Sequence, residues 1–226
     1  MNNSNGMIRG AVSPLLLTMA VVVLIAGTAH AQRPTEVAVS RVNLADSREI
    51  SNVGAGEFVK AAAERTFASL GGDDITDNER AERFRMLLLE TFDLPKIARF
   101  TLGRYWRRAS EAQRVEFVQL FEDFIVLAYS NRFKGLSKKK FRISSVRKLS
   151  GTESLVASEI VISGRAPVRA SWRVRGDRGT YKVTDVVIEG ISMSVTQRDE
   201  FAAVIRSSGG RVDGLLHALR KKTGKS

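Results

Sequence analysis

Two hydrophobic periods divide this chain. From about position 57 to 136 the apolar residues recur at three-to-four spacing, and from 141 to 195 they alternate every second residue. In EFVKAAAERTFASLGG, Phe58, Ala62, Phe67 and Leu70 can share one helix face, and Gly71-Gly72 closes it. TDNERAERFRMLLLETFD follows, with Thr76 and Glu79 at capping-box spacing and a stripe of Phe84, Leu87, Leu88 and Thr91. A short helix is predicted from Pro95, after Asp93, to near Gly103, with Ile97 and Phe100 inward. The longest helix starts at Ser110, which Gln113 completes as a second capping box. Its stripe of Phe117, Phe121, Phe124 and Ala128 is widened by Val118, Ile125 and Tyr129, so it must face more than one neighbour.

After Ser137-Lys138-Lys139-Lys140 the period changes to two. FRISSVRKL, SLVASEIVIS, PVRASWRVR and YKVTDVVIEGISM read as four strands joined by short turns, which argues for an antiparallel meander. In the third, Val168, Ala170, Trp172 and Val174 take one face and Arg169, Ser171, Arg173 and Arg175 the other. The fourth is less regular, because Val186, Val187, Ile188, Ile191 and Met193 are apolar on both faces. Two closing helices follow, TQRDEFAAVIRSSGG and VDGLLHALRKK. Helices, then a curved sheet, then helices is an α+β arrangement.

The ends of the chain change the picture. Arg9 is followed by the apolar run Leu15 to Ala26 and by Ala29-His30-Ala31, the layout of a secretory signal peptide cleaved after Ala31. Cleavage leaves 195 of the 226 residues and lowers the formal charge from +12 to +11. Residues 32–56 have no sustained period and read as a loose arm, so the expected organisation is a signal peptide (1–31), an arm (32–56) and one domain (57–222). That domain divides into a helical part (57–136), a sheet (141–195) and closing helices (196–222). Export sets nucleic acid aside as the partner of this basic chain and favours anionic lipid, envelope polymer or acidic protein surfaces.

Little catalytic chemistry is available. There is no cysteine, and His217 is the one histidine left after cleavage, which removes Cys/His metal sites and leaves a Ser-His-Asp triad a single candidate. Asp185 and Glu189 interrupt an apolar strand on one face. They either pair with arginines, such as Arg198, or titrate in a pocket.

The motif DVVIEGISM followed by VTQRDEF resembles the C-terminal signature of the MlaC family of periplasmic phospholipid-binding proteins, with Asp185, Gly190, Ser192, Arg198 and Phe201 in matching places. The upstream stretch, Asp93 before a short helix, then Leu102-Gly103, Tyr105-Trp106 and the Phe117 and Phe121 helix, is similar to the family's other hallmark. The likeness spans about 58 to 219. It implies a strongly curved antiparallel or mixed sheet, like the nuclear-transport-factor roll, packed against N- and C-terminal helices around an apolar cavity for acyl chains.

The apolar positions assigned to that cavity are Phe100, Trp106, Phe121, Ile125 and Tyr129 from the helical part, with Val156, Ile160, Trp172, Val174, Val187, Ile191 and Met193 from the sheet and its end. Val186 and Ile188 are expected on the opposite side of their strand. The likeness also implies phospholipid as the ligand, no cofactor, no metal and no catalysis. It implies a monomeric periplasmic shuttle between an outer-membrane lipoprotein–porin complex and an inner-membrane MCE protein of an ABC transporter. A hopanoid-associated branch and an exported enzyme using Asp185 and Glu189 are the alternatives. Burying about 15 methylenes at roughly 0.8 kcal/mol each contributes on the order of 12 kcal/mol, against about 1 or less for a surface ion pair. Affinity is therefore expected in the tails, and the basic residues Lys138, Lys139, Lys140, Arg169, Arg173 and Arg175 are read as a docking surface.

Overall fold

The computed structural model describes residues 46–135, 139–161, 166–177 and 179–225, all of them in one unit spanning 38–226. Residues 1–45, which include the expected signal peptide, and Lys138 lie outside the described residues. Helices α1 (Asp46–Leu70), α2 (Asp77–Thr91), α3 (Leu94–Leu102) and α4 (Glu111–Tyr129) come first. Strands β1 (Lys140–Lys148), β2 (Glu153–Val161), β3 (Val168–Asp177), β4 (Thr180–Ile188) and β5 (Ile191–Ser192) follow, and α5 (Met193–Ser207) and α6 (Val212–Thr223) close the chain. The strands form one sheet in the order β1-β2-β3-β4-β5, and every neighbouring pair is antiparallel.

Local signals start most of these helices. The Thr76 hydroxyl accepts from the Glu79 amide to cap α2, and Asp93 accepts from the Lys96 amide to cap α3. At α4 both halves of the capping box form: Ser110 Oγ accepts from Gln113 N, and Gln113 Oε1 accepts from Ser110 N at 2.9 Å.

Helix α1 departs from expectation. It begins at Asp46, within the stretch read as a loose arm. Gly54-Ala55-Gly56 looks like a breaker in sequence, but here small residues let the helix lie close against the sheet. A Cβ on Gly54 would come within 2.2 Å of the Tyr181 hydroxyl, and one on Gly56 within 3.0 Å of Val146. The composition of the segment thus reports a close approach and not a loop.

The α1–α2 connection is held by a buried arginine. Arg80 is fully buried, and its guanidinium donates to the carbonyls of Leu70, Gly72 (2.9 Å) and Ile75 (3.3 Å). It satisfies orphan carbonyls at the C-terminus of α1, where a cation also suits the helix dipole.

Two hydrophobic cores result. One lies among α2 to α6, and at its centre Phe201 of α5 meets Phe117, Phe121 and Phe124 of α4 with ring centroids 5.7, 6.1 and 5.9 Å away. The other packs Ala55 and Val59 of α1 on Val156, Val174 and Val183 of the sheet. Phe92 touches both cores, and the Asp93 amide donates to the Val183 carbonyl at 3.0 Å, which ties the helical part to β4.

Candidate functional site

A cavity of about 250 Å³ lies between the two cores. Helix α1 contributes Val59, Ala62, Ala63, Thr66 and Phe67; α2 contributes Phe84, Leu87, Leu88 and Thr91; and Ile97 and Thr101 come from α3. Phe121, Ile125 and Tyr129 of α4 face them, and the sheet supplies Phe141, Ile160, Trp172, Val183, Val186 and Ile188. Met193, Ser194 and Gln197 at the start of α5 complete the wall, together with Asp185, the only charged residue in it among the described residues.

Most of the polar side chains in this wall are used locally. Thr66 Oγ1 donates to Ala62 O at 2.7 Å and Thr101 Oγ1 to Ala98 O at 2.9 Å, which leaves their methyl groups to the cavity. The Trp172 indole N–H donates to Ser158 Oγ at 2.9 Å, so the ring adds apolar area without an unmet donor. Asp185 accepts from Ser192 Oγ at 2.7 Å and from the Ser194 amide at 3.1 Å. Both of its contacts serve the first turn of α5, where Ser192 is the N-cap. Gln197 Nε2 donates to Glu200 Oε2 at 3.3 Å, and burial holds the Glu200 carboxyl above its ordinary range despite that bond. Burial also raises the Tyr129 phenol, with Arg132 opposing and Glu200 adding to the effect. The wall therefore offers mostly apolar surface, with few groups free to act on a substrate among the described residues.

Six positions assigned to the cavity from sequence line it: Phe121, Ile125, Tyr129, Ile160, Trp172 and Met193. The other six do not. Val156 and Val174 point inward but lie under α1 in the sheet core. Trp106 sits in the 3-10 turn after α3 and packs on the helical core, with the Arg114 guanidinium 5.7 Å from its ring centre. Phe100 was expected inward, but it lies on the outer face of α3 because Leu94, Ile97, Ala98, Thr101 and Leu102 already occupy the inner one.

Val187 and Ile191 fail for a different reason. Val174 pairs with Val183 and Arg173 with Asp185, so Thr184 is the extra residue of a bulge. That residue shifts the alternation of β4 by one, turning Val186 and Ile188 to the cavity and Val187 away, the reverse of the expectation. The chain then reverses at Glu189 (φ 48°) and Gly190 (φ 85°), a two-residue turn with both central φ positive. Ile191 therefore starts a new strand, pairing with Ile188, and is exposed.

Sequence reasoning also omitted the α1 and α2 side of the cavity. The stripes at Ala62 and Phe67 and at Phe84, Leu87, Leu88 and Thr91 were visible, but periodicity does not tell a core face from a cavity face.

Among the motif positions, Gly103 ends α3 with φ 57°, Gly190 makes the turn, and Ser192 and Asp185 cap α5. Phe201 fills the helical core, and Arg198 lies over Phe100. Glu189 pairs with Arg169, not with Arg198: it accepts from the Arg169 amide at 2.6 Å and sits 3.4 Å from its guanidinium. Arg169, Arg173 and Arg175 are exposed on the outer sheet face, where Arg173 lies 3.7 Å from Glu153; Lys139 is half-buried and Lys140 exposed.

The sheet, the helices and the cavity between them define an α+β protein with a largely apolar pocket between two cores. The family model for the MlaC protein matches residues 60–221, so this chain belongs to the MlaC family. It is 23% identical over 172 residues to the intermembrane phospholipid transport system binding protein MlaC of Haemophilus influenzae, a match covering 73% of this chain and 79% of that protein. The fold matches a phospholipid-binding protein from Ralstonia solanacearum, solved in complex with a phospholipid, with a TM-score of 0.67 and 24% identity. That match covers 76% of this chain and 97% of the other.

Proposed function

We propose that this chain is a noncatalytic carrier that takes up phospholipid acyl chains in the cavity between its two cores. The observation that carries the reading is the wall itself, which is largely apolar and whose one carboxylate among the described residues is committed to capping α5. The names of the relatives, a phospholipid transport binding protein and a phospholipid-bound structure, support the same ligand.

The volume of about 250 Å³ is that of roughly eight water-sized units, and a methylene is of similar size. Burying about eight methylenes contributes on the order of 6 kcal/mol. Taking up a whole diacyl lipid then requires the helical core and the sheet core to move apart, with the gain rising as more of each chain is covered.

The carrier is placed in the periplasm, after export and cleavage at Ala31. There it would exchange lipid with an outer-membrane lipoprotein–porin complex and with an MCE protein of an inner-membrane ABC transporter, acting as a monomer. The basic outer sheet face and Lys138 to Lys140 are assigned to docking on those complexes. Native mass spectrometry of protein purified from a periplasmic extract tests the central claim. A stoichiometric adduct of phospholipid mass is expected; a bare polypeptide mass that stays unchanged after incubation with phospholipid vesicles overturns it.

A further inference from the structure

Phe100 and Ile191, two of the positions expected in the cavity, are exposed outside it, less so than Met86, Leu89, Val115 and Leu127 but beside a run of cations. They are 41% and 42% exposed, and Val195, on the first turn of α5, is 37% exposed. Residues 94–108 carry Lys96, Arg99, Arg104, Arg107 and Arg108 and no acidic residue. All five of these cations are exposed. Lys96 stands four residues before Phe100, on the same side of α3, and Arg104 follows in the 3-10 turn after Gly103.

Arg198 of α5 joins the two helices into one surface. Its guanidinium lies 5.0 Å from the Phe100 ring centre, and its stem passes so close to Gly103 that a Cβ there would stand 3.4 Å from Arg198 Cδ. Its charge is shared with Asp199, 3.5 Å away, so the stem is its main addition to the patch. The opposite faces of the same two helices, at Ile97 and Met193, line the cavity.

We propose that this α3–α5 surface seats the protein on an anionic lipid surface, with Phe100, Ile191 and Val195 entering the headgroup layer and the surrounding cations meeting lipid phosphates. Lys96 lies 3.6 Å from Glu153, while Arg99, Arg107 and Arg108 make no ion pair among the described residues; apolar tips set among such cations match a medium that is anionic at its boundary and apolar a few ångströms below. A folded acidic protein offers the first property and not the second. The outer sheet face fits less well, because Arg169 and Arg173 there are tied to Glu189 and Glu153. Seating on α3 and α5 also places the cavity wall directly behind the contact. The inference goes beyond the carrier reading, since the patch binds vesicles whether or not the cavity is filled.

The test is co-sedimentation of the purified periplasmic protein with vesicles of phosphatidylglycerol and, separately, of phosphatidylcholine. Pelleting with the anionic vesicles only, weakened by salt, is expected. The triple variant Phe100→Ser/Ile191→Ser/Val195→Ser and the charge variant Arg99→Glu/Arg107→Glu should each lower the partition coefficient about tenfold. Lys60→Ser/Arg83→Ser, which removes two cations elsewhere, should leave it unchanged. Equal pelleting with both lipids, no pelleting of the wild type, or wild-type partition in both patch variants overturns the proposal. Lipid content is read separately by native mass spectrometry, so a bare wild-type protein would sink the carrier reading without touching the vesicle result.

Discussion

Asp185 Oδ1 accepts the backbone N–H of Ser194, nine residues further on, at 3.1 Å, so a strand carboxylate caps the helix that follows it. Its other oxygen holds the N-cap hydroxyl of Ser192 at 2.7 Å. The pair of bonds ties β4 to α5 and gives the cavity's carboxylate a structural task. Asp185→Ala should cost about 1 to 2 kcal/mol of stability in urea unfolding, within the usual range for a lost cap. Bound lipid should persist in the folded fraction; loss of lipid with unchanged stability would give this carboxylate a ligand role instead.

The bulge at Thr184 makes β4 a test of cavity assignment at single-residue resolution. Ile188→Asp places a carboxylate in the cavity and should strip lipid from the purified protein, while Val187→Asp, one residue away on the other face, should keep it. Lipid extracted per mole of protein is the measurement. Equal retention in the two variants would contradict the register described above.

Arg80 should be intolerant of replacement. Arg80→Met removes a charge-assisted donor from the Leu70 carbonyl at the end of α1 and from those of Gly72 and Ile75 in the α1–α2 connection, a loss of about 3 kcal/mol. Arg80→Lys should recover only part of it, since an ammonium lacks the planar fork that reaches several carbonyls at once. Thermal melts of the two variants decide this, with Tm falling in the order wild type, Lys, Met.

The C-terminal tail sets an acid limit. Burial pushes the Asp123 carboxyl up, but hydrogen bonds from Lys225 and Arg85, with their charges, outweigh it and hold its pKa below the ordinary 3.8. A depressed folded pKa means that the stabilisation is fully present above the unfolded value and is lost as pH falls through the folded one. Asp123→Asn should therefore be less stable than wild type by about 2 kcal/mol at neutral pH, with the gap closing below about pH 4. Urea midpoints across that range provide the check.

Much of this architecture can be read from residue order, and the exceptions have physical causes. Ser110 and Gln113 announce α4 because a capping box is a local interaction. The meander is legible because Val168 to Arg175 keep a strict two-residue alternation. Thr184 gives no such notice: a bulge depends on the partner strand, and nothing in TDVVI distinguishes an extra residue from a paired one. Gly54-Ala55-Gly56 misleads in the opposite way, since glycine demanded by a close neighbour looks the same as glycine demanded by a loop. Half of the expected cavity residues lie elsewhere for a related reason. Val156 and Val174 were placed on the inner face, but only the position of α1 determines which part of that face is covered.

The division into two cores also has a volumetric consequence. An apolar space of about 250 Å³ amounts to roughly 150 mL per mole, and eliminating such voids is what makes unfolding shrink a protein's volume. The empty protein should accordingly be soft to hydrostatic pressure, and the loaded one stiff, even where heat unfolds both at similar temperatures. Pressure thus becomes a gauge of cargo: the midpoint of pressure unfolding would register how much of the space between the sheet and the helices a lipid tail has filled.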